Sequence, residues 1–444
     1  MPQRRLIRGA RIVDPATGRD EVGDLLIDGA RVAERGASAS GAEVIDAKGL
    51  VLMPGAIDVH VHLREPGRED EETIESGARA AIAGGFTAVA CMPNTEPALD
   101  NQGAVRFVTA KAREAGLARV FPIGAITVGR AGERLTEIGE MVAAGAVAFS
   151  DDGDSVERAG LLRRAFEYAR MFDVPLISHC EDKSLSAGGV MNDGAMSTRL
   201  GLRGWPCIAE EVIIARDIAI AEFTGGRLHV AHVSSAGGVE LVRQGKRRGV
   251  RVTAESMPHY FTLTDEALAG YDTNYKVNPP IRTAADREAI IAGLADGTLD
   301  TIASDHAPHA SFEKDLEFDR APFGLVGLET TLGLVMTELV ARGRLSLAAA
   351  VERMTAGPAR ALGLPLGTLA PGAMADVTLF DPAATWRVDA AAFETRSKNS
   401  PFVGRELSGR VAMVFVAGEV RLRDGQIVPG RGAGAFGDAA EARA

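Results

Sequence analysis

The chain has 444 residues, of which 46% are hydrophobic and 25% charged, a composition typical of a globular protein with a large core. A net charge of −11 argues against a nucleic-acid-binding surface, and three cysteines without regular spacing argue against a disulfide framework. The N-terminal segment lacks the apolar run of a secretory signal, and no uncharged apolar run reaches the roughly 18 residues of a membrane span. We therefore expect a cytoplasmic protein without membrane or nucleic-acid partners.

Both ends of the chain have the pattern of short strands. Asp28-Gly29 and Asp424-Gly425 each stand between apolar runs, which is the signal of a β-hairpin. Because helical spacing is scarce at both ends, we expect residues 1–54 and 365–430 to form one smaller β-sandwich domain together. The tail, residues 431–444, is rich in Gly and Ala and is predicted to be disordered.

Strand-like apolar runs alternate with helical spacing through the central region, residues 55–364. The clearest helical row is Ile208, Val212, Ala215, Ala219 and Phe223. Eight strand–helix units in series indicate a parallel sheet, and eight is the number that closes a TIM-type (β/α)₈ barrel, with an open doubly wound sheet as the alternative. The predicted strands are 56–60, 86–92, 120–126, 146–150, 175–179, 228–233, 250–255 and 301–304.

Polar residues at the ends of these strands favour the barrel, because barrel enzymes build their sites at the carboxyl ends of the strands. The residues at these ends are His60, His62, Asn94, Asp151, Asp152, His179, His232 and Asp305. Two long connections, 183–205 and 308–327, follow the fifth and eighth strands. Their length is typical of binding loops, although ordinary surface insertions are equally compatible with it.

The centre of the pattern is His60-Val61-His62. Alternate side chains of a strand lie on one face, so both imidazoles can bind one ion. The ligand-type residues are too many for one four-coordinate zinc but fit two zinc ions about 3.5–4 Å apart, sharing a carboxylate and a hydroxide, with manganese or cobalt as alternatives. The carboxylate would be Asp152, with Asp151 as the alternative, because neighbours on a strand face opposite ways. The proposed ligands are His60, His62, Asp152, His179, His232 and Asp305.

Seven short phrases add a second kind of information. They are His-Leu-Arg-Glu-Pro-Gly (62–67), Met-Pro-Asn-Thr (92–95), Asp-Asp-Gly (151–153), His-Cys-Glu-Asp (179–182), Asn-Pro-Pro (278–280), Ser-Asp-His-Ala-Pro-His (304–309) and Ala-Pro-Phe-Gly (321–324). With the histidine pattern, these phrases resemble the dihydroorotase family of the amidohydrolase superfamily, and most closely its bacterial class I. The similarity covers residues 50 to about 330 closely and the two ends only loosely.

The resemblance implies reversible cyclisation of N-carbamoyl-L-aspartate to L-dihydroorotate and water, a step of pyrimidine (UMP) biosynthesis. It implies two zinc ions per chain, bridged by Asp152 and a hydroxide, and it makes Asp305 the catalytic proton shuttle as well as a metal neighbour. It further implies a homo-oligomer that could associate with aspartate carbamoyltransferase. The substrate-binding residues that the resemblance implies are Arg64, Asn94, Asn278, His309, Phe323 and Gly324.

Two other functions compete with this interpretation. The first is another cyclic amidohydrolase, an allantoinase or hydantoinase. Many such relatives bridge their metals with a carboxylated lysine, but no lysine lies between Lys111 and Lys183, and Arg64 would suit a substrate that carries a carboxylate. The second is an inactive dihydroorotase-like subunit that scaffolds aspartate carbamoyltransferase. Such subunits have lost metal ligands, whereas this chain keeps all six.

Four further residues are expected to be structural. His229 lies three residues before His232, so on a strand it faces the other way. His259 has no metal-like partner in sequence, and His306 is expected to support the neighbouring strand end. Cys180 is expected to be a buried thiol, with a stray metal ligand as the less favoured alternative.

Overall fold

The computed structural model describes residues 3–430, so the tail that was predicted to be disordered, 431–444, lies outside the described residues. Eight parallel strands follow one another in sequence order around one sheet. The chain after the eighth strand returns to the first, where the His62 N–H donates to the His306 carbonyl at 2.8 Å and Val61 forms a parallel bridge with His306. This contact makes the sheet a nearly closed barrel.

The eight barrel strands are Ala56–Val61, Phe86–Cys91, Arg119–Gly124, Ala148–Ser150, Leu176–Ser178, Leu228–Val230, Val252–Ser256 and Thr301–Ile302. Each strand overlaps the apolar run that predicted it. The predicted barrel is therefore confirmed, and the open doubly wound sheet is excluded. Because all eight strands run the same way, their carboxyl ends meet at one end of the barrel.

One helix follows each strand on the outside of the barrel. Side-chain caps fix several starts: the Asn101 side chain accepts from the Gly103 and Ala104 N–H groups, and Thr283 accepts from Asp286 N–H. Gly116 ends the second helix in the left-handed conformation. These helices are Ile74–Ala83, Gln102–Ala115, Ile138–Ala143, Ala159–Arg170, Ile208–Thr224, Ala236–Arg247, Ala284–Asp296 and Leu328–Leu334, the last of which continues as a π-helical segment, Val335–Val340.

The helical row that was clearest in the sequence lies mostly on the outer face of its helix. Ile208 and Phe223 are 47% and 72% exposed, whereas Ile213, Ile214 and Ile218 are buried against the barrel. The helix is apolar on nearly every side, so two rows had helical spacing and the spacing alone could not identify the buried one.

Both long connections contain regular structure. Residues 183–205 hold two short helices and a two-stranded parallel ribbon, Met191–Asn192 with Gly204–Trp205, and residues 308–327 hold one short helix.

No helix within residues 3–430 is both long and apolar enough to cross a membrane. The remaining α-helices are Lys183–Ser186, Ala195–Leu200, Pro258–Thr262, Ser311–Lys314, Leu347–Met354 and Ala356–Leu362, and the 3₁₀ turns are Pro15–Thr17, Val128–Arg130, Asp265–Gly270, Thr273–Tyr275 and Ala390–Ala392.

A second sheet of nine strands combines both chain ends, as predicted. Its two halves meet where Val51–Pro54 pairs antiparallel with Val377–Arg387. The two predicted hairpins are present, one closing at the Asp28–Arg31 pair and the other at the Arg423–Gln426 pair. The exact domain limits, 1–54 with 365–430 and 55–364, stay predictions. In spatial order the strands are Gln426–Ile427, Glu419–Arg423, Glu406–Val416, Val377–Arg387, Val51–Pro54, Arg4–Asp14, Arg19–Asp28 and Arg31–Val32, with Glu43–Asp46 beside Arg4–Asp14.

A buried ion pair joins the barrel to this sheet. Arg119 begins the third barrel strand, and its Nε and Nη2 donate to the two carboxylate oxygens of Asp376 at 2.8 and 3.3 Å. Asp376 also accepts from the Ala417 N–H at 2.6 Å. Both charged side chains are buried, so each depends on the other for compensation.

Arg119→Met is expected to lower the free energy of unfolding by about 3–5 kcal/mol, because it leaves the Asp376 carboxylate buried without its cation. Urea denaturation followed by circular dichroism measures this change. The matched control is Arg163→Met, which removes an exposed ion pair with Glu167 and is expected to cost less than about 1 kcal/mol. An Arg119→Met variant as stable as the control would contradict the role of this pair.

Candidate metal centre

His60 and His62 lie on the first barrel strand with their ring centroids 5.3 Å apart. The Nδ1 atom of each ring faces an oxygen acceptor: His60 Nδ1 lies 2.6 Å from Glu255 Oε1, and His62 Nδ1 lies 2.8 Å from Asn94 Oδ1. These contacts place the ring proton on Nδ1, so each Nε2 presents a lone pair to the centre. Second contacts of this kind orient metal-binding histidines and fix their tautomer.

His179 has the opposite orientation. Its Nε2 lies 3.2 Å from Glu181 Oε2, and its Nδ1 lies 2.8 Å from His232 Nε2. His179 follows the fifth strand and His232 the sixth, and barrel closure brings both beside the first-strand pair. His60 and His232 have ring centroids 5.4 Å apart. Four imidazoles from three parts of the barrel therefore surround one point.

Asp152 occupies that point. Its Oδ1 lies 3.4 Å from His60 Nε2, 3.5 Å from His179 Nδ1 and 3.7 Å from His232 Nε2, and its Oδ2 lies 3.7 Å from His62 Nε2. Asp151 faces away and accepts from the backbone N–H of Thr127 at 3.0 Å and from the Thr127 hydroxyl. The geometry thus distinguishes two aspartates that the sequence left as alternatives.

Asp305 approaches the centre from the eighth strand, with its Oδ1 3.1 Å from His62 Nε2 and 3.6 Å from His60 Nε2. Burial opposes ionisation of Asp152 and Asp305, but without a bound cation His60 and the other imidazoles can be protonated, and in that form they hold the pKa of Asp152 well below its usual range and lower the pKa of Asp305. Both carboxylates are consequently ionised at neutral pH, the form that binds a cation or accepts a proton.

The backbone is strained at three of the predicted site residues. Asp305, His232 and Arg64 have φ values of 48°, 35° and 58°, in the left-handed region that non-glycine residues rarely adopt. All three lie two or three residues after the end of a barrel strand. Such strain persists where the surroundings impose it, and it clusters at functional sites.

The residues present fit a metal ion. Among the described side chains, His60 Nε2 and Asp152 Oδ1 are buried and have no hydrogen-bond partner. Leaving such atoms unpaired is costly, so their arrangement requires a cation or another partner. Two sets of ligand atoms each lie within 4.8 Å of one another: His60, His62 and Asp305, and His60, Asp152 and His232. Imidazole nitrogen and carboxylate oxygen are ligands that zinc and similar divalent metals accept.

Glu255 is a residue of this centre that the sequence analysis missed. Besides His60, its Oε1 accepts from the His232 N–H at 3.2 Å, and its Oε2 lies 3.0 Å from His229 Nε2. It is fully buried on the seventh strand. The signal available in the sequence was a glutamate at the end of an apolar strand run. A carboxylate buried at such a position requires partners, and histidines elsewhere in the chain could provide them.

The four residues expected to be structural lie around the ligand set. His229 contacts Glu255 and Thr253, and His306 Nε2 lies 3.2 Å from Glu72 Oε2. The Cys180 thiol lies 3.5 Å from the Ser178 carbonyl, and burial raises its pKa well above the usual value, which disfavours a thiolate. Both ring nitrogens of His259 are buried without a partner among the described residues, and burial lowers its pKa to about 4.

Four of the six predicted substrate residues lie together. Arg64 Nε lies 3.0 Å from Glu71 Oε2 and donates to the Pro308 carbonyl at 3.1 Å, and its Nη2 lies 3.4 Å from His309 Nε2. His309 Nε2 in turn contacts the Phe323 carbonyl at 2.8 Å, and Gly324 packs against the same ring. This arrangement places a cation beside the loop that follows the eighth strand.

The other two predicted substrate residues have different surroundings. Asn94 contacts the metal-side residue His62 through its side-chain oxygen. The Asn278 side-chain oxygen is buried and has no hydrogen-bond partner among the described residues, so it is available to a ligand. Neither asparagine shares a hydrogen bond with the Arg64 group in the described part of the chain.

Two family models match the chain. One, described as dihydro-orotase-like, matches residues 49–237, and one described as amidohydrolase family matches residues 218–422. Together they cover both the barrel and much of the second sheet.

Proteins of similar sequence belong to the same family. A dihydroorotase of Pelotomaculum thermopropionicum is 57% identical over 421 residues, covering 94% of this chain and 98% of the relative. A dihydroorotase of Pelobacter propionicus is 53% identical over 421 residues, covering 94% and 99%.

Solved structures share the fold at lower identity. The L-hydantoinase (dihydropyrimidinase) from Arthrobacter aurescens superimposes with a TM-score of 0.87 at 28% identity, covering 96% of this chain and 98% of that chain. A D-hydantoinase from Bacillus sp. AR9 gives 0.83 at 27% identity, covering 97% and 98%. The sequence relatives are about twice as similar as these structures, so they decide the narrower assignment. The chain therefore belongs to the dihydroorotase family of the amidohydrolases, hydrolases that act on cyclic amides.

Proposed function

We propose that this chain is a dihydroorotase that interconverts N-carbamoyl-L-aspartate and L-dihydroorotate in pyrimidine biosynthesis. The observation that carries the proposal is Arg64, a cation beside the His/Asp centre whose side chain is only 12% exposed, because dihydroorotate has a ring carboxylate for it to bind. The 57% identical relative named dihydroorotase supports the same substrate. A hydantoinase is less well supported, because an aspartate, Asp152, lies among the four imidazoles and the chain has no lysine between Lys111 and Lys183.

We propose that the six ligand residues hold two zinc ions, with Asp152 between them. The overlap of the two ligand sets at His60 supports two adjacent positions. When bound, the metal supplies Lewis-acid polarisation of the amide carbonyl and a water of lowered pKa. The protein's part is to fix the ligand nitrogens, which Glu255, Asn94 and Glu181 do from the far side of each ring.

We propose that Arg64 binds the substrate carboxylate by a two-pronged hydrogen bond. Glu71 and the Pro308 carbonyl hold its Nε, which fixes the plane of the guanidinium before the substrate arrives. His309, Asn94, Asn278 and the Phe323-Gly324 backbone are proposed to contact the rest of the ring. A preorganised arginine of this kind positions the scissile amide over the metal centre.

We propose that Asp305 moves the proton. Its lowered pKa keeps the carboxylate ionised, so it can take a proton from the attacking water. In ring hydrolysis it then protonates the departing ring nitrogen, and in ring closure it removes a proton from the ureido nitrogen. Class I membership, a homo-oligomer and a complex with aspartate carbamoyltransferase stay predictions from the family resemblance, and the cytoplasmic location stays a prediction from the sequence composition.

Hydrolysis of dihydroorotate, hydantoin and allantoin by the purified chain tests the proposed function. We expect turnover of dihydroorotate, with kcat/KM for the other two substrates lower by at least about 100-fold, since neither offers the ring carboxylate. Hydantoin or allantoin turnover in the absence of dihydroorotate turnover would support the first rival function. No turnover of any substrate by the zinc-loaded chain would support the scaffolding subunit.

Asp152→Asn is expected to reduce metal content and remove most of the activity, because it withdraws the central negative charge. Asp151→Asn is the matched control, since that side chain faces Thr127 and should change metal content little. Metal analysis of both purified variants, with rates for each, makes the comparison. A larger metal loss in Asp151→Asn would reassign the bridge.

Arg64→Met is expected to raise KM for dihydroorotate by about 10- to 100-fold while the metals stay bound, because one charge-assisted contact is lost. Steady-state kinetics and metal analysis measure both effects. The matched control is Arg79→Met. Arg79 lies on an outer helix and pairs with Glu394, so its loss is expected to leave KM for dihydroorotate unchanged. An unchanged KM in Arg64→Met would remove Arg64 from the carboxylate site.

Asp305→Asn is expected to lower the rate by about 100- to 10,000-fold in both directions with near-normal metal content, because the amide keeps one oxygen but cannot accept a proton. Rates of hydrolysis and of cyclisation, measured beside metal content, test this role. Nearly normal rates in both directions with intact metals would assign the proton transfer to another group.

A further inference from the structure

Two buried lysines lie behind the loop that carries Phe323 and Gly324. Lys276 is 2% exposed and Lys314 is 6% exposed, which is rare for an ammonium group. Lys314 Nζ donates to the carbonyls of Pro322 and Gly324 at 2.9 and 3.0 Å. Lys276 Nζ donates to the Asp319 carbonyl at 3.0 Å. Lys314 therefore binds the Pro322–Gly324 segment directly, and Lys276 binds the backbone three residues before it.

The other polar groups of this segment are also held. The Phe323 carbonyl accepts from His309 Nε2 at 2.8 Å, and the Gly324 N–H donates to the Lys276 carbonyl at 2.8 Å. The Gly324 carbonyl has a second donor, Asn399 Nδ2, at 3.2 Å. The Phe323 ring lies 4.6 Å from Lys276 Nζ and meets the Trp205 ring edge-on at 6.0 Å between centroids. Contacts from several directions thus fix the segment.

One backbone N–H group of the Pro322–Gly324 segment has no hydrogen-bond acceptor among the described residues. Within residues 3–430, the Phe323 N–H has no acceptor. In a trans peptide the N–H points opposite to the preceding carbonyl. Because the Pro322 carbonyl points at Lys314, the Phe323 N–H points away from Lys314. The segment borders His309, which lies beside Arg64, so this donor belongs to the wall of the proposed substrate site.

We propose that Lys276 and Lys314 are positioning residues that set the Pro322–Gly324 backbone so that the Phe323 N–H donates to the ring of bound dihydroorotate. The Lys314 ammonium acts on this backbone directly, and the Lys276 ammonium acts through the Asp319 carbonyl and the Phe323 ring. This inference rests on the proposed function and extends it to two residues outside the metal centre and the carboxylate site. The lysines touch neither substrate nor metal. They act through the backbone, as hydrogen-bonded supports of binding groups generally do.

A purely structural role would not need charge. Burying two ammonium groups is costly, and neutral donors could tie the same loop to the barrel. Burial lowers the pKa of Lys276 to about 8 and the pKa of Lys314 to about 7, and the neighbouring Lys276 ammonium lowers the pKa of Lys314 further. The other charged groups acting on the pair are Asp319 toward Lys276, and Asp272, Glu313 and the His309 ring toward Lys314.

The charge of the two lysines determines the direction in which KM should change with pH. Both lysines are charged below their folded-state pKa values and lose that charge as the pH rises through about 7 to 8. Neutral amines hold carbonyl oxygens less strongly than ammonium groups do. KM for dihydroorotate should therefore rise from pH 6 to pH 9, while the substrate carboxylate stays ionised throughout.

The experiment compares wild type, Lys314→Met and Lys276→Met in dihydroorotate hydrolysis between pH 6 and 9, each zinc-loaded and analysed for metal. Lys314→Met is expected to raise KM at pH 6 by at least about tenfold, change kcat less than about threefold, keep its metals, and lose the KM rise near pH 7. Lys246→Met is the matched control, because Lys246 Nζ also donates to a backbone carbonyl, that of Gly297, but at the opposite end of the barrel. It should behave as wild type.

An unchanged KM in both lysine variants would overturn the proposal, as would a wild-type KM that is flat across this pH range. A fall in kcat with loss of metal and no change in KM would also overturn it, because that pattern marks a structural role. If Lys314→Met does not fold, the KM of Lys276→Met and the pH profile of the wild-type KM still test the proposal. Wild type without dihydroorotate turnover would instead defeat the proposed function itself.

Discussion

The structure depends on one buried carboxylate, Asp152, held within 3.4–3.7 Å of nitrogen atoms from four imidazoles. An arrangement of this kind is stable only if the outer side of each ring is also satisfied, because every unpaired buried polar atom is costly. Glu255, Asn94 and Glu181 provide those outer contacts for three of the rings. Barrel closure is the geometric condition for all of them, since the ligands come from strands that are distant in sequence.

The residues proposed to bind the substrate lie beside the His/Asp centre, at the same end of the barrel. The loop after the eighth strand returns over the carboxyl ends and carries His309, Phe323 and Gly324 to Arg64. A network of charges, Arg64 to Glu71, and Arg68 to Glu71 and Glu313, ties this loop to the segment after the first strand. Residues 62–71 thus connect the candidate metal centre to the loop that is proposed to contact the substrate. Different loop residues on the same metal frame would accept different cyclic amides, which agrees with hydantoinases sharing the fold at 28% identity.

The sequence predicted the parts of the site that follow local rules. The spacing of His60 and His62 on one strand fixed their shared face, and the order of polar strand ends indicated the barrel. The choice between Asp151 and Asp152 needed the three-dimensional structure, because Asp151 is turned away by its partner Thr127, three residues after the end of the third strand. Glu255 and Lys276 escaped notice because their partners lie far away in sequence. Lys314 escaped notice because no local pattern indicates that an ammonium group is buried. The helix Ile208–Thr224 shows the same limit in the fold: an element apolar on nearly all sides carries no periodic signal for its buried face.

The most direct test of the account is anomalous X-ray diffraction at the zinc edge from crystals of the zinc-loaded protein. We expect two anomalous peaks about 3.5–4 Å apart, with Asp152 in contact with both and Asp151 with neither. One peak, or two peaks of which Asp152 contacts only one, would contradict the central role of this carboxylate.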